Sequence, residues 1–502
     1  MTTLVPAPAA QTVDAAATPF TLSETSRIVA GPDARATAGL AVTALSPVAG
    51  RALEIAAEGR TGADVVLEIT GTGAAESYRL TVGADGVLIA GADAAGVFYG
   101  IQTLVQLLAT SRTVPAQVID DAPRFAYRGV MLDVARHFFP VEVVEDYIDR
   151  AASLKFNALH LHLTDDQGWR IRIDARPALT DAAAGTAVFG DAGGFYSKDD
   201  YARIVEHAAA RGMTVVPEID APSHTHAISL AYPELMEPVV ISDRVREVVD
   251  MFGGGLPQQG RPYTGFAVGF SALKAHDEAT YAFLADVYGE LAAMTPGPYL
   301  HVGGDEALGM SDDDFATFMD RATALVADLG KIPIAWHEAG SSRGLAPTTV
   351  GQYWGFVTPT DGMDEKTRTF VRAGAQVILS PADAIYLDMK LTADSPTGLT
   401  WANGPTSVHD AYAWEPTQII DGIGEADILG IEAPLWTETV RTPADIDSQA
   451  FPRIAAAAET AWSPADSDVR TWESFRSRVG ALGPLWRAQG IAYAPAAEID
   501  WA

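Results

Sequence analysis

An Asp–Glu pair behind two glycines, His301-Val302-Gly303-Gly304-Asp305-Glu306-Ala307, is the segment of this chain best suited to chemistry. Adjacent side chains on a pleated strand face opposite sides, so Asp305 and Glu306 reach one pocket only where the chain leaves the pleat. Gly303-Gly304 permits that bend. Two crowded carboxylates hold their proton affinities apart: one stays ionised while the other rises toward neutrality, as a general acid requires. The same pair also suits a metal ion, and an Asp–Glu dipeptide is common on any surface. Trp336, Trp354, Trp401 and Trp436 add context, because indole faces stack on the C–H face of a pyranose and exclude water, although a tryptophan taken singly is simply core. Polar residues also close other apolar runs: Asp133 with Arg136, Asp165 with Asp166, Glu218 with Asp220, Trp336 with Glu338, and Trp436 with Glu438. Charge at such ends costs desolvation, so its gathering there points to one working rim rather than to scattered ion pairs.

The elements that must position these groups are eight short apolar runs, at 128–134, 158–164, 214–220, 299–306, 331–339, 348–354, 375–380 and 428–436. Alternating with helical stretches, they predict a (β/α)8 TIM barrel with enlarged loops over residues 123–502. Two of its helices are legible: 141–155 opens behind Pro140, and 198–211 ends at Gly212. The segments 221–276 and 383–425 are expected to be βα loops, which build the active site of a barrel. Ahead of the barrel, residues 19–122 predict a small α+β domain. It contains a hairpin turning at Gly83-Ala84-Asp85-Gly86 and an amphipathic helix capped by Asp93, with Val97, Ile101, Leu104 and Leu108 on one face. The proline-bearing stretch VPAQVIDDAPRF marks the boundary. Residues 1–18, rich in Ala, Pro and Thr, are expected to be a flexible lead-in.

Composition excludes several classes. With 34 Lys+Arg against 65 Asp+Glu, the formal charge of -31 repels phosphate backbones and anionic lipid, so neither nucleic acid nor membrane is an expected partner. Cysteine is absent, which removes thiolate nucleophiles, disulfides and cysteine metal sites. The first twenty residues lack a basic region followed by a continuous apolar one; the protein is expected to be cytoplasmic, or secreted with its leader removed. Oligomeric state is not readable.

RGVMLDVARHFFP (128–140), LHLTDDQGWRI (161–171), PEIDAPSH (217–224), HVGGDEA (301–307), QYWG (352–355), YLDMK (386–390), GLTW (398–401) and APLWTE (433–438) together closely resemble glycoside hydrolase family 20, the β-N-acetylhexosaminidases. The motifs stand in family order from 123 to about 490, and the preceding α+β domain resembles the family's N-terminal domain. Ala221 and Ser223 depart from the family pattern. The resemblance implies substrate-assisted hydrolysis of terminal, non-reducing β-linked N-acetylglucosamine, with N-acetylgalactosamine as a further sugar, through an oxazolinium intermediate. It further implies catalytic roles for Glu306 as acid/base, Asp305 as the group orienting the 2-acetamido, and Tyr386 as the hydroxyl steadying the acetamido oxygen. Trp336, Trp354 and Trp436 would wall the acetamido pocket, Arg136, Asp388 and Glu438 would bind sugar hydroxyls, and Trp401 would stand at the pocket edge or toward the leaving group. Asp165, Asp220 and His224 would form a buried relay behind the acid.

No cofactor and no metal are expected, and the expected partner is an N-acetylhexosamine-containing oligosaccharide. A disaccharide-releasing, lacto-N-biosidase-like member and a catalytically silent carbohydrate-binding barrel are the alternatives. A metallohydrolase reading of His160-Leu161-His162 is weaker, because that pattern lies on the second run and the later runs offer tryptophan and carboxylates instead of further histidine and lysine. His162 itself is expected in the core or behind the residues that touch substrate, rather than as a ligand.

Overall fold

In the computed structural model, which describes residues 3–502, eight parallel strands close into a barrel. They are β1 (Tyr127–Asp133), β2 (Ala158–His162), β3 (Thr214–Glu218), β4 (Tyr299–His301), β5 (Ile332–Trp336), β6 (Val350–Tyr353), β7 (Val377–Leu379) and β8 (Ile428–Leu435). Seven lie within one of the apolar runs and β1 starts one residue ahead of its own, as strands buried on both faces require. The pairing of β1 with β8, Leu132 opposite Leu435, closes the ring and brings the two ends of the barrel chain together. The predicted helices are present as Val141–Ser153 and Lys198–Ala210, the latter opened by a capping box in which Ser197 and Asp200 satisfy each other's backbone N–H.

The preceding α+β unit is a seven-stranded sheet. Its Tyr78–Gly83 and Gly86–Gly91 strands pair antiparallel, Gly83 opposite Gly86, around the expected Asp-Gly turn. The Asp93 side chain accepts from the Gly96 N–H at the start of the helix Ala94–Leu107. Lys155, at the end of the first barrel helix, donates to Asp121 Oδ2 at 2.7 Å, and Arg128 on β1 donates to Glu76 Oε2 at 2.8 Å. The sheet is thus seated on the barrel by buried, paired charges.

The expectation of a flexible lead-in is corrected for residues 4–14; the first two residues lie outside those described. Ala10–Asp14 is an edge strand paired with Ala116–Asp120, and Leu4 and Val5 are buried. The Val5 N–H donates to Gln106 Oε1 at 2.9 Å and the Ala7 N–H to Glu459 Oε2 at 3.1 Å. These partners lie 101 and 452 residues away along the chain, which is why local composition gave no sign of them.

Candidate active site

After β4 the chain leaves the pleat as the two glycines allow: φ is 75° at Gly303, 104° at Gly304 and 48° at Glu306. A Cβ on Gly303 would sit 1.7 Å from Asp220 Oδ1, so glycine is required by contact as well as by conformation. The bend turns Asp305 inward, 8 % exposed, and leaves the Glu306 side chain 32 % exposed at the mouth. Burial therefore falls on Asp305, and burial together with the neighbouring Glu306 charge, opposed by His224, pushes its carboxyl up to about 6. Depth in the pocket puts the rise on Asp305, whereas the family resemblance casts Glu306 as the acid, so the expectation that the raised member of the pair is the general acid is corrected.

His224 joins the pair to the floor. Its Nε2 lies 3.3 Å from Glu306 Oε2 and 3.6 Å from Asp305 Oδ2, and its Nδ1 lies 3.3 Å from Asp165 Oδ1. Although burial opposes it, the charges of Asp165 and Asp305 hold this imidazole protonated well above its ordinary range. Asp165 is held well below the usual carboxylate range against the cost of burial by Arg136 and His224, while burial and the nearby Asp305 raise Asp220 well above it. The Gly304 N–H donates to Asp220 Oδ1 at 3.3 Å, so Asp220 holds the glycine bend as well as lying behind Asp305.

The four tryptophans do converge. Trp336 lies fully buried with its ring 6.1 Å from Trp436; Tyr386 lies 6.3 Å from Trp436 and 5.8 Å from Trp401; Trp401 is 6.0 Å from Trp354. Together they wall a cleft whose outer lip is Trp401, 42 % exposed. Arg136 lies over the Trp436 ring at 4.8 Å and pairs with Asp165 Oδ2 at 2.7 Å; its guanidinium stands 3.9 Å from Glu438 Oε1. Burial raises both Asp388, which also feels Glu438, and Glu438, where Arg136 opposes the rise. Among the described residues, Asp305 Oδ1, Glu438 Oε2 and Arg136 Nε are buried without a protein hydrogen-bond partner. Buried polar atoms are normally satisfied, so these three are donors and acceptors suited to a polyhydroxylated ligand.

Two carboxylates of the site had no role assigned from sequence. Glu338 accepts from the Trp354 indole N–H at 3.0 Å, and burial with the Asp305 charge pushes it up to about 8. Glu218 is the hub of the barrel floor: it accepts from the Trp336 indole N–H at 3.0 Å and lies 2.9 Å from His301 Nδ1, with His160 and His162 against its other oxygen. His162, expected in the core, is buried there and also bridges to Asp165 Oδ2 at 2.8 Å. The available signal was their place at the ends of apolar runs: Glu218 is the last residue of β3, and Glu338 stands two residues beyond the end of β5 in a short 3-10 turn over His337–Ser341. The acid–imidazole groups close enough to share a cation are His160, Glu218 and His301; His162, Glu218 and Asp220; Asp165, Asp220 and His224; and His224, Asp305 and Glu306. In these clusters the carboxylate neighbours raise His160 to about 10 and His162 to about 9 and hold His224 well above its ordinary range against burial, whereas burial holds His301 below it.

Known proteins share this arrangement of chain. Residues 125–465 match the catalytic domain of glycosyl hydrolase family 20, and residues 1–122 match domain 2 of that family. A β-N-acetylhexosaminidase of Cellulomonas fimi is 40% identical over 96% of this chain and 94% of its own length. A solved glycoside hydrolase family 20 β-N-acetylglucosaminidase superposes with a TM-score of 0.91 at 60% identity, covering 99% of both chains. A mutant Streptomyces plicatus β-hexosaminidase in complex with its product, GlcNAc, superposes at 0.90 with 40% identity, covering 100% of this chain and 98% of that one.

Proposed function

Since the chain belongs to glycosyl hydrolase family 20 and is a β-N-acetylhexosaminidase, we propose that it removes terminal β-linked N-acetylglucosamine, and N-acetylgalactosamine, from oligosaccharides or chitin fragments by substrate-assisted catalysis with retention. The observation that carries this reading is the pairing of a buried Asp305 beneath a tryptophan-walled cleft with a more exposed Glu306 at its mouth. A carboxylate meant to attack C1 directly would have to face the anomeric carbon. Asp305 instead lies deep, beside Tyr386 and the indoles, where a 2-acetamido group would insert.

In the first step the acetamido carbonyl oxygen attacks C1. The bond from C1 to the leaving oxygen breaks, and Glu306 passes its proton to that oxygen. Asp305 orients the acetamido N–H and balances the charge of the resulting oxazolinium, Tyr386 steadies the acetamido oxygen, and the tryptophans keep that oxygen near C1 so that attack is effectively unimolecular. In the second step Glu306 takes a proton from water. Water adds to C1, the ring opens to restore the acetamide, and two inversions leave the β configuration. Arg136, Asp388 and Glu438 hold the ring hydroxyls, Arg136 through a planar fork of donors. The relay of Asp165 and His224, with Asp220 behind the bend, keeps a positive imidazole against both active carboxylates.

Initial rates on 4-nitrophenyl N-acetyl-β-glucosaminide and on the plain β-glucoside, with and without EDTA, test the reading. Release from the acetamido sugar alone, indifferent to chelator, is expected. Equal rates on the two sugars, or loss of rate with EDTA, would refute the acetamido-dependent route.

A further inference from the structure

Glu306 delivers its proton to the oxygen joining the first sugar to the rest, so every later sugar leaves the cleft past Glu306. This much rests on the function proposed above. What surrounds that exit is unusually apolar. Twelve large hydrophobic side chains are exposed among the described residues, and eight of them lie on the loops that follow β2, β3, β4 and β7, the catalytic mouth of the barrel. A soluble protein seldom gathers exposed apolar surface in one region without using it.

Three of the rings in this region are organised. The Phe252 and Phe266 rings stack at 4.9 Å with 28° between their planes, and the Phe189 ring meets Phe266 edge-on at 5.2 Å. Phe189 is 54 % exposed and Phe252 43 %. Phe189 also adopts φ 60°, ψ 5°, a left-handed conformation that a phenylalanine holds at a cost. It is kept there by its own N–H donating to Thr264 O at 2.9 Å and by the Val188 N–H donating to Arg136 O at 2.9 Å. The ring packs against Phe266 and lies beneath the Arg441 guanidinium at 5.7 Å, yet remains half exposed, so the backbone cost holds it at the surface rather than in the core.

The loop that carries Phe266 runs on to the backbone beside the acid. Three residues after Phe266, a Cβ on Gly269 would lie 3.1 Å from Glu306 O and 2.7 Å from Leu308, itself 64 % exposed. The same loop is pinned to the catalytic floor by Gln167 donating to Gly265 O at 2.9 Å and by the Ser271 hydroxyl donating to Asp166 at 2.6 Å. Trp401 stands apart from it, on the loop after β7.

We infer that Phe189, Phe252 and Phe266 form a stacking platform for the sugar units beyond the scissile bond of a neutral β-linked oligosaccharide, making the enzyme favour chains of several units over a single sugar with a small leaving group. Pyranose C–H faces and aromatic rings suit each other, and a neutral ligand is indifferent to the chain's charge of -31.

The test compares wild type with Phe189→Ala/Phe252→Ala and with Phe252→Ala alone, which removes the ring stacked on Phe266 at an exposed helix end. The substrates are 4-nitrophenyl N-acetyl-β-glucosaminide and β-1,4-linked N-acetylglucosamine oligomers of two to six units. Expected are aryl glycoside kinetics within about twofold of wild type, a wild-type kcat/KM that climbs with chain length, and a five- to tenfold loss on the tetramer and longer, expressed in KM. A flat wild-type length profile, or variants that keep the wild-type ratio of oligomer to aryl rates, would overturn the platform. So would a wild-type dimer that dissociates in the double variant, because the strip would then be a self-association surface. Failure of the wild type on the aryl glycoside would instead strike the proposed function, which keeps the two readings separable.

Discussion

At the scale of single residues, the chemistry turns on how two adjacent carboxylates are made unequal. Asp305 is buried and Glu306 is not, so under the proposed route asparagine at 305 removes the charge that would balance the oxazolinium while glutamine at 306 removes the transferable proton. Asp305→Asn is expected to lower kcat by ~10²–10⁴ on every acetamido substrate, whereas Glu306→Gln is expected to do so on oligosaccharides but much less on 4-nitrophenyl glycosides, whose leaving group needs no proton. Rates on both substrate types check the pair. In the proposed route Asp305 works ionised, and burial with the Glu306 charge pushes it up to about 6, so kcat/KM is expected to fall as pH drops through about 6. The positive His224 lowers Asp305, so His224→Asn raises it and moves that acid limb to higher pH; an acid limb unmoved in the kcat/KM profile would contradict the coupling. Glu338, pushed up to about 8, is neutral at pH 7 and accepts from the Trp354 indole in that state. Glu338→Gln, which imitates the neutral acid, is therefore expected to retain kcat/KM within about threefold at pH 7 and to lose any inflection near pH 8.

At the scale of elements, the decisive feature is a strand that stops early. β4 ends at His301, and the two left-handed glycines turn the following carboxylates into the cleft instead of continuing the alternation of the pleat. Gly303→Ala places a methyl group against Asp220 in a backbone region that L-residues avoid. A stability loss of roughly 2 kcal/mol or more is expected, with kcat/KM falling at least tenfold because Asp305 and Glu306 are displaced together. Urea unfolding and steady-state kinetics on the same preparation check both effects. Beneath the bend, β2, β3, β4 and β8 supply His160, His162, Glu218, His301 and Glu432 to one buried network, which holds the Trp336 indole from below. The floor of the sugar cleft is therefore set by strands rather than loops, the more rigid of the two supports.

At the scale of the whole molecule, the barrel and the sheet before it share buried charge. Residues 4–7 clasp the two: Arg478 donates to Leu4 O at 2.7 Å, Gln106 to Val5 O at 2.7 Å and the Ser463 hydroxyl to Ala7 O at 2.6 Å. Deleting residues 1–14 leaves these donors without those acceptors and strips an edge strand from the sheet. A fall in Tm of more than about 5 °C is expected, with kcat on the aryl glycoside at 25 °C within about twofold, since none of these groups lines the cleft. Thermal unfolding and initial rates decide it. The same distances along the chain separate what was legible from what was not. Eight strands could be read because a strand buried on both faces must be a short apolar run, and the bend could be read because adjacent carboxylates reach one pocket only through glycine. Burial of the lead-in could not be read, because its partners Gln106 and Glu459 are far along the chain. Nor could the Glu218 hub, whose imidazoles come from two other strands, or the identity of the raised carboxylate. Residue types and their spacing determined which groups are available to the chemistry; depth and proximity, which only the closed barrel creates, decided the proton each one holds.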